Sequence, residues 1–201
     1  MAKRKATMEE VVVKPATRAR WKDLQAIFGA RGEAAKCQCQ RAILPLREYW
    51  YMPREIREAF LRKEVSTVRA AAPGLIAYLG DEPVGWCRLG PRCQYPPLRN
   101  SPVPWSGRDE DKDDAGVWSV VCFVVRVGYR RQRISYALAA AAVDYARERG
   151  AAALEGYPMP THGGQIPWGE LHVGAYGAFK EAGFREVSHP TQRRYVMRID
   201  Y

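Results

Sequence analysis

The chain has 201 residues and a formal net charge of +10, and its length suits one domain with a substantial core. An apolar share of 47% and a charged share of 27% exclude a disordered polymer. No run approaches the roughly 20 apolar residues that span a bilayer, and the opening MAKRKATMEE lacks the apolar region of a signal peptide. We therefore predict a cytoplasmic protein with no membrane partner, with a disordered tail at residues 1–9 and one domain at residues 10–201.

The first half of the chain predicts a strand followed by helices. A β-branched run at residues 10–14 indicates the first strand, and helical spacing of apolar residues at 18–28 indicates the first helix. The segment 37–51 mixes aromatic and basic residues and predicts an irregular lid or a broken helix. Pro53 then opens a second regular helix over 54–64.

A hairpin and a long loop precede the central strand. Two short strands at 75–79 and 83–89 flank Gly-Asp-Glu at 80–82, which is a turn signal. Residues 91–116 are rich in Pro, Ser and Gly and include DEDKDD at 109–114, so a long loop insertion is predicted there. The acidic run either holds a cationic substrate or is a solvated loop.

The second half begins with the strongest strand and the strongest helix. The strand Val117–Val125 is nearly all apolar, as in a strand buried on both faces. Residues 134–149 carry an apolar stripe at helical spacing and end at Gly150. A further strand, a short helix and a closing hairpin follow at 151–156, 174–182, 184–187 and 194–199.

The five cysteines show no framework for disulfides or metal. Their number is odd, and Cys37 and Cys39 are separated by one residue, unlike the pairs of a zinc knuckle. The three histidines, His162, His172 and His189, all come late in the chain. We therefore predict reduced thiols and no metal ion.

A basic turn links the central strand to the long helix. Four arginines, at 126, 130, 131 and 133, lie within eight residues in front of the helix. The first turn of a helix has unpaired N–H donors and the positive end of the dipole, so the turn predicts a site for one compact anion. The alternative is a solvated basic turn without a ligand.

The segment FVVRVGYRRQRISYAL at 123–138 resembles the acetyl-CoA signature of the GCN5-related N-acetyltransferase (GNAT) family, and AFKEAGFREV at 178–187 resembles its second hallmark. The resemblance implies an α/β fold with about seven mostly antiparallel strands, about four flanking helices and a cofactor between splayed central strands. It implies acetyl-CoA as co-substrate, held by residues of the strand, the turn and the short helix: Phe123, Val124, Val125, Arg130, Arg131, Gln132, Arg133, Ile134, Ser135 and Phe179.

Two positions depart from the family pattern. Arg133 stands where the family has a glycine of close approach, so it either binds phosphate or weakens acetyl-CoA binding. Phe179 stands where many members have the tyrosine that protonates the leaving thiolate. Tyr176, one turn earlier, is the substitute candidate or an ordinary packing residue. Ser135 is a possible helix N-cap.

Glu155 is the predicted general base, with a structural hydrogen-bond network as its alternative role. Asp113, Asp114 and His172 are weaker candidates for the base. The aromatic residues at 49–51, Trp105 and Trp168 either line an acceptor pocket or belong to the core.

The predicted function is transfer of an acetyl group, by direct attack, to a primary amine of a small molecule or a peptide. An antibiotic-like compound or a polyamine would suit the acidic run. The alternative is a catalytically weakened homologue that binds a CoA-like ligand or a protein partner. No nucleic-acid-binding pattern is present, so no nucleic-acid partner is expected. The resemblance is compatible with a homodimer.

Overall fold

The computed structural model describes residues 11–67, 71–161, 166 and 169–201. The tail predicted at 1–9 and the residues His162 and Trp168 lie outside this part of the chain. None of the described helices has the length and apolar character needed to cross a membrane.

Seven strands form one mixed sheet in the order β1-β2-β3-β4-β5-β7-β6. The β4–β5 pair is parallel, and the other neighbouring pairs are antiparallel. This confirms the predicted seven-stranded, mostly antiparallel sheet. The strands are β1 Val11–Pro15, β2 Gly74–Leu79, β3 Glu82–Pro91, β4 Val117–Val125, β5 Ala153–Gly156, β6 Arg185–Thr191 and β7 Arg194–Asp200.

The α-helical segments of the described chain include the four predicted ones and three short additions. They are α1 Trp21–Phe28, α2 Glu33–Cys37, α3 Leu46–Tyr51, α4 Arg54–Ser66, α5 Pro96–Arg99, α6 Ile134–Glu148 and α7 Tyr176–Glu181. Short 3-10 turns lie at Arg18–Arg20, Gln40–Ala42, Arg92–Gln94 and Leu171–Val173. The ambiguous segment at 37–51 is therefore a broken helix, interrupted by the left-handed residues Gln38 and Cys39.

The sheet has a hydrophobic cluster on each face. One cluster packs α6 and α7 against the sheet, with Leu138 and Phe179 fully buried. The other packs α1 and α4 against the opposite face around Trp86. Because both faces are covered, β4 is apolar along its length except at Ser119. The central strand is thus held in place from both sides.

The long loop at 91–116 is more ordered than its composition predicts. It includes the 3-10 turn Arg92–Gln94 and the short helix α5. Within the acidic run, Asp109 and the residues 111–114 are exposed, whereas Glu110 is half-buried against arginines. The acidic run is therefore solvated for the most part, and one of its carboxylates belongs to the protein interior.

Candidate active site

β4 and β5 separate after a short parallel stretch. Their pairing ends where Val120 lies opposite Gly156. β4 continues to Val125 with only β3 as its partner, and a β-bulge in that pairing leaves Val121 without an opposite residue. In the described part of the chain, the β5-facing edge of residues 121–125 has no strand partner. Bulges of this kind are common beside active sites.

The splay arises because the chain after β5 pairs elsewhere. The N–H of Met159 donates to the carbonyl of Gly174 at 3.0 Å, and its carbonyl accepts from the N–H of Tyr176 at 2.9 Å. A Cβ at Gly156 would collide with the Phe179 ring, so glycine is required where β5 ends. The backbone beyond β5 is consequently directed toward α7 and away from β4.

A cavity of about 450 Å³ opens along the free edge of β4. Of the ten predicted cofactor residues, five line it: Phe123, Val124, Val125, Arg130 and Ser135. The strand edge and the first turn of α6 therefore meet in one cavity, as the anion-site prediction requires. The roles of these residues in binding acetyl-CoA remain predictions.

The turn before α6 has a left-handed backbone at two arginines. Arg131 and Arg133 both have φ of 61°, a conformation that favours glycine. Arg133 occupies the N-cap position of α6, and Ser135 lies inside the helix, so the N-cap prediction for Ser135 was wrong. The Arg133 guanidinium pairs with Glu181 and lies 4.1 Å from the centre of the Tyr136 ring. Arg133 therefore adopts the glycine-like backbone while its side chain extends along α6 toward α7.

The other predicted cofactor residues lie outside the cavity lining. Arg131 is exposed, and the Gln132 side chain donates to the carbonyl of Gly128 at 3.3 Å. Ile134 and Phe179 belong to the core, and the Phe179 ring packs edge-on against Phe123 and Phe184. Phe179 thus packs in the core against Phe123, which lines the cavity.

Glu155 lies in a buried ion-pair network. It is 0% exposed, and its carboxylate accepts hydrogen bonds from Arg92 at 3.0 Å, from Arg198 at 2.9 Å and from Arg108. Glu110 also contacts these three arginines. Glu155 is absent from the cavity lining. This arrangement favours the structural alternative over the role of general base.

The hydroxyl of Tyr176 lies 3.4 Å from Glu186, and its ring packs against Tyr195. Tyr176 is absent from the cavity lining, although the preceding Ala175 contributes to it. Asp113 pairs with Arg99, and Asp114 accepts the N–H of Gly116, so neither carboxylate is directed into the cavity.

Tyr157 contributes a hydroxyl where the strands part, a position that sequence reasoning missed. It is 4% exposed and follows the last residue of β5. Its hydroxyl donates to Glu155 at 2.9 Å and lies 3.1 Å from the Ser119 hydroxyl. Burial and the neighbouring Glu155 charge raise the pKa of Tyr157 well above its ordinary value, so the phenol stays protonated.

His172 lines the same cavity as two arginines, Arg41 and Arg194, whose charges act on its ring. Its Nδ1 lies 2.7 Å from the carbonyl of Gly169. Burial, together with the charges of Arg41 and Arg194, lowers the pKa of His172 below its ordinary value. The sequence had indicated His172 only weakly and Arg41 and Arg194 not at all, because three separate segments bring them together.

The predicted acceptor aromatics are divided between the cavity and the surface. Tyr49 lines the cavity, whereas Trp50 and Tyr51 are exposed and lie outside it. Trp105 packs beneath Arg92. All five cysteines are free, and the described residues include no cluster suited to a metal ion.

The architecture and the sequence both match known acetyltransferases. The structure is similar to a GCN5-related N-acetyltransferase from Kribbella flavida, with 17% identity, a TM-score of 0.55 and coverage of 97% of this chain and 100% of that one. It is also similar to YncA, a putative acetyltransferase from Salmonella typhimurium solved with acetyl-CoA, with 12% identity, a TM-score of 0.52 and coverage of 95% and 94%.

The PaiA N-acetyltransferase from Thermoplasma acidophilum, solved with coenzyme A, shows 12% identity, a TM-score of 0.52 and coverage of 95% and 99%. At these identities the likeness shows a shared fold. No curated protein matches the sequence. A family model described as "Acetyltransferase (GNAT) family" matches residues 39–157, more than half of the chain. The chain therefore belongs to the acetyltransferase (GNAT) family.

Proposed function

We propose that the protein transfers the acetyl group of acetyl-CoA to a primary amine by direct attack. The observation that carries this proposal is the free edge of β4 at residues 121–125, which faces the same cavity as Arg130 and Ser135. An unpaired strand edge offers N–H and C=O groups to an extended, amide-containing ligand such as the pantetheine arm. The first turn of α6 offers N–H donors to a pyrophosphate.

In this proposal His172 is the general base. A carbonyl can only accept a hydrogen bond, so the contact with Gly169 requires that Nδ1 carry the proton. The neutral ring then leaves Nε2 free to take a proton. The lowered pKa keeps the ring neutral near pH 7, where it can deprotonate an ammonium group before attack. His172 takes the role of general base that the sequence predicted for Glu155, whose carboxylate is enclosed by arginines.

Tyr157 is our candidate for the group that stabilises the leaving thiolate, in place of Tyr176. Four described residues bring a hydroxyl to the cavity lining: Tyr49, Ser101, Ser135 and Tyr157. Of these, Tyr157 is the residue that directly follows Gly156, where the pairing of β5 with β4 ends. A developing thiolate requires a hydrogen-bond donor, and the protonated phenol has one O–H. In the structure this O–H is donated to Glu155, so the role requires the hydroxyl to turn from Glu155 to the thiolate.

The test is release of the CoA thiol from acetyl-CoA in the presence of primary amines, with the acetylated product identified by mass spectrometry. We expect amine-dependent release that decreases strongly in His172→Gln. Acetyl-CoA binding without release for any primary amine would favour the weakened homologue. That alternative is supported by Phe179, which stands where many family members have the acid, and by the orientation of Tyr176 toward Glu186.

A further inference from the structure

We propose that the acceptor is an amine that also carries a carboxylate, such as an apolar α-amino acid, and that Arg194 and Arg41 bind this carboxylate. The inference rests on the proposed function, because it assigns a ligand to the part of the same cavity around His172, which we call the acceptor end. It excludes the polyamines and polycationic antibiotics that the acidic run suggested.

The acceptor end of the cavity is cationic. Arg41 and Arg194 line it together with His172, and each of the two arginines acts on the pKa of that histidine. Glu33 is the one carboxylate among the described lining residues, and it lies 3.6 Å from Lys36. A polyamine would therefore meet mostly like charge, whereas an anionic group would meet opposite charge.

Arg194 has an unsatisfied buried donor. Its Nη1 is shielded from solvent and has no hydrogen-bond partner among the described residues. The nearby carboxylate of Glu170 pairs instead with Arg193. Burial and the charges of Arg193 and Arg41 lower the pKa of Arg194, and the Glu170 charge opposes them only in part. A buried donor without a partner is costly, and a bound carboxylate would remove that cost.

The same cavity also has apolar walls. They include Leu46, Tyr49, Pro97, Leu98 and Val103. The exposed carboxylates of the acidic run at 109–114 are absent from the lining. An apolar wall beside two guanidinium groups and a neutral imidazole fits a molecule with a hydrophobic body, a carboxylate and an amine.

Binding of 3-phenylpropionate, measured by calorimetry against phenethylamine, tests the carboxylate site without any turnover. We expect wild-type protein to bind the acid and to bind phenethylamine at least about 10-fold more weakly. Arg194→Ala should weaken binding of the acid at least about 10-fold, and Arg41→Ala should also weaken it. Arg62→Ala is the matched control, because Arg62 is exposed on α4 and lies outside the cavity lining.

The second arm compares kcat/KM for L-phenylalanine and L-leucine with that for phenethylamine and 3-methylbutylamine. We expect the amino acids to be preferred and the preference to decrease in Arg41→Ala. Because Arg41 is exposed, its replacement by alanine should leave the fold intact, so the decrease would report on binding. Equal or better use of the decarboxylated amines, or binding of 3-phenylpropionate that is insensitive to both arginines, would overturn the inference. Failure of acetyl-CoA to bind would instead overturn the proposed function.

Discussion

Arginines gather in two regions of this protein, with opposite consequences. Around Glu155, the arginines Arg92, Arg108 and Arg198 pair with the carboxylates of Glu155 and Glu110, and Arg198 also pairs with Asp200. Around His172, Arg41 and Arg194 approach each other and the histidine, and Arg194 retains a buried donor without a partner in the described chain. In the first group each guanidinium pairs with a carboxylate, although the Nε of Arg92 has no hydrogen-bond partner in the described chain. In the second group, no carboxylate of the described residues forms an ion pair with either arginine.

We infer from this difference that the first group is a structural cluster and that the second belongs to a binding site. A buried carboxylate that accepts hydrogen bonds from three guanidinium groups has no free lone pair positioned for a substrate proton. Burial and the charges of Arg41 and Arg194 keep the His172 imidazole neutral at the wall of the cavity, so its Nε2 has the lone pair that the proposed base requires. Burial of a charged residue alone would favour Glu155 as the general base. The pairing of Glu155 with three arginines instead favours His172 in the proposed role.

The largest expected effect is on stability, in Glu155→Gln. Removing this charge leaves buried arginines uncompensated, so we expect the free energy of unfolding to decrease by about 3–5 kcal/mol. Chemical denaturation measures this change. The control is Glu58→Gln, at a half-exposed partner of Arg54, which should change the free energy of unfolding by less than about 0.5 kcal/mol. A loss below about 1 kcal/mol in Glu155→Gln would show that the network is unimportant to the fold.

Acid should weaken the same network. Burial by itself raises the pKa of Glu110, but the hydrogen bond from Arg92 and the charge of Arg108 outweigh burial and hold the pKa below its ordinary value. The stabilisation is therefore present above the ordinary pKa of a glutamate and is lost as pH falls through the lowered value. Glu110→Gln should reduce the acid dependence of the unfolding free energy, and an unchanged dependence would contradict this assignment.

His172→Gln should lower kcat/KM by about 100-fold or more, because general-base catalysis contributes on that scale. Since the pKa of His172 is lowered, wild-type activity should rise with pH to a plateau, with a midpoint below 6.5, the ordinary value for histidine. The variant should lose this acidic limb, and Glu155→Gln should keep it at a temperature where it is folded. The reverse pattern would return the role of base to Glu155.

Arg133→Gly should have a small effect on acetyl-CoA affinity. The backbone there is already left-handed and the side chain pairs with Glu181, so glycine relieves strain and removes an exposed ion pair. We expect acetyl-CoA affinity to change by less than about fivefold, the factor that corresponds to a surface ion pair worth about 1 kcal/mol or less. A tenfold gain in calorimetric affinity would show that Arg133 obstructs the phosphate turn.

The smallest expected effect is in Tyr176→Phe. Because its hydroxyl is directed to Glu186 and the residue is absent from the cavity lining, turnover should remain within about twofold of wild type, as for a surface substitution. Tyr157→Phe is the paired variant and should lower kcat while leaving acetyl-CoA affinity nearly unchanged. A loss of turnover in Tyr176→Phe alone would restore its role as the acid.

The sheet and the helices α1, α4 and α6 were predictable because their periodicity is local. The turn before α6 was predictable as part of an anion site, because the strand, the turn and the helix are contiguous in sequence. The conformation of Arg133 was not, because composition does not reveal that a non-glycine residue adopts φ of 61°.

The charged clusters could not be predicted, since their members are distant in sequence. Glu155 meets arginines that are 63, 47 and 43 residues away. Arg41 and Arg194 reach His172 from a 3-10 turn and from β7. The carboxylate of Glu155, one residue before the end of β5, indicates a polar group near the splay. Only the tertiary structure shows which partners neutralise it.

The central claim is that the free edge of β4 and the first turn of α6 bind acetyl-CoA, and calorimetric titration of Ser135→Glu tests it most directly. An acidic residue in the first turn favours the helix but repels a pyrophosphate, so fold and ligand respond in opposite directions. We predict that wild-type protein and the exposed-site control Ser66→Glu bind acetyl-CoA alike, and that Ser135→Glu binds at least about 10-fold more weakly. No binding by wild type at millimolar acetyl-CoA, or equal affinity in Ser135→Glu, would contradict the account.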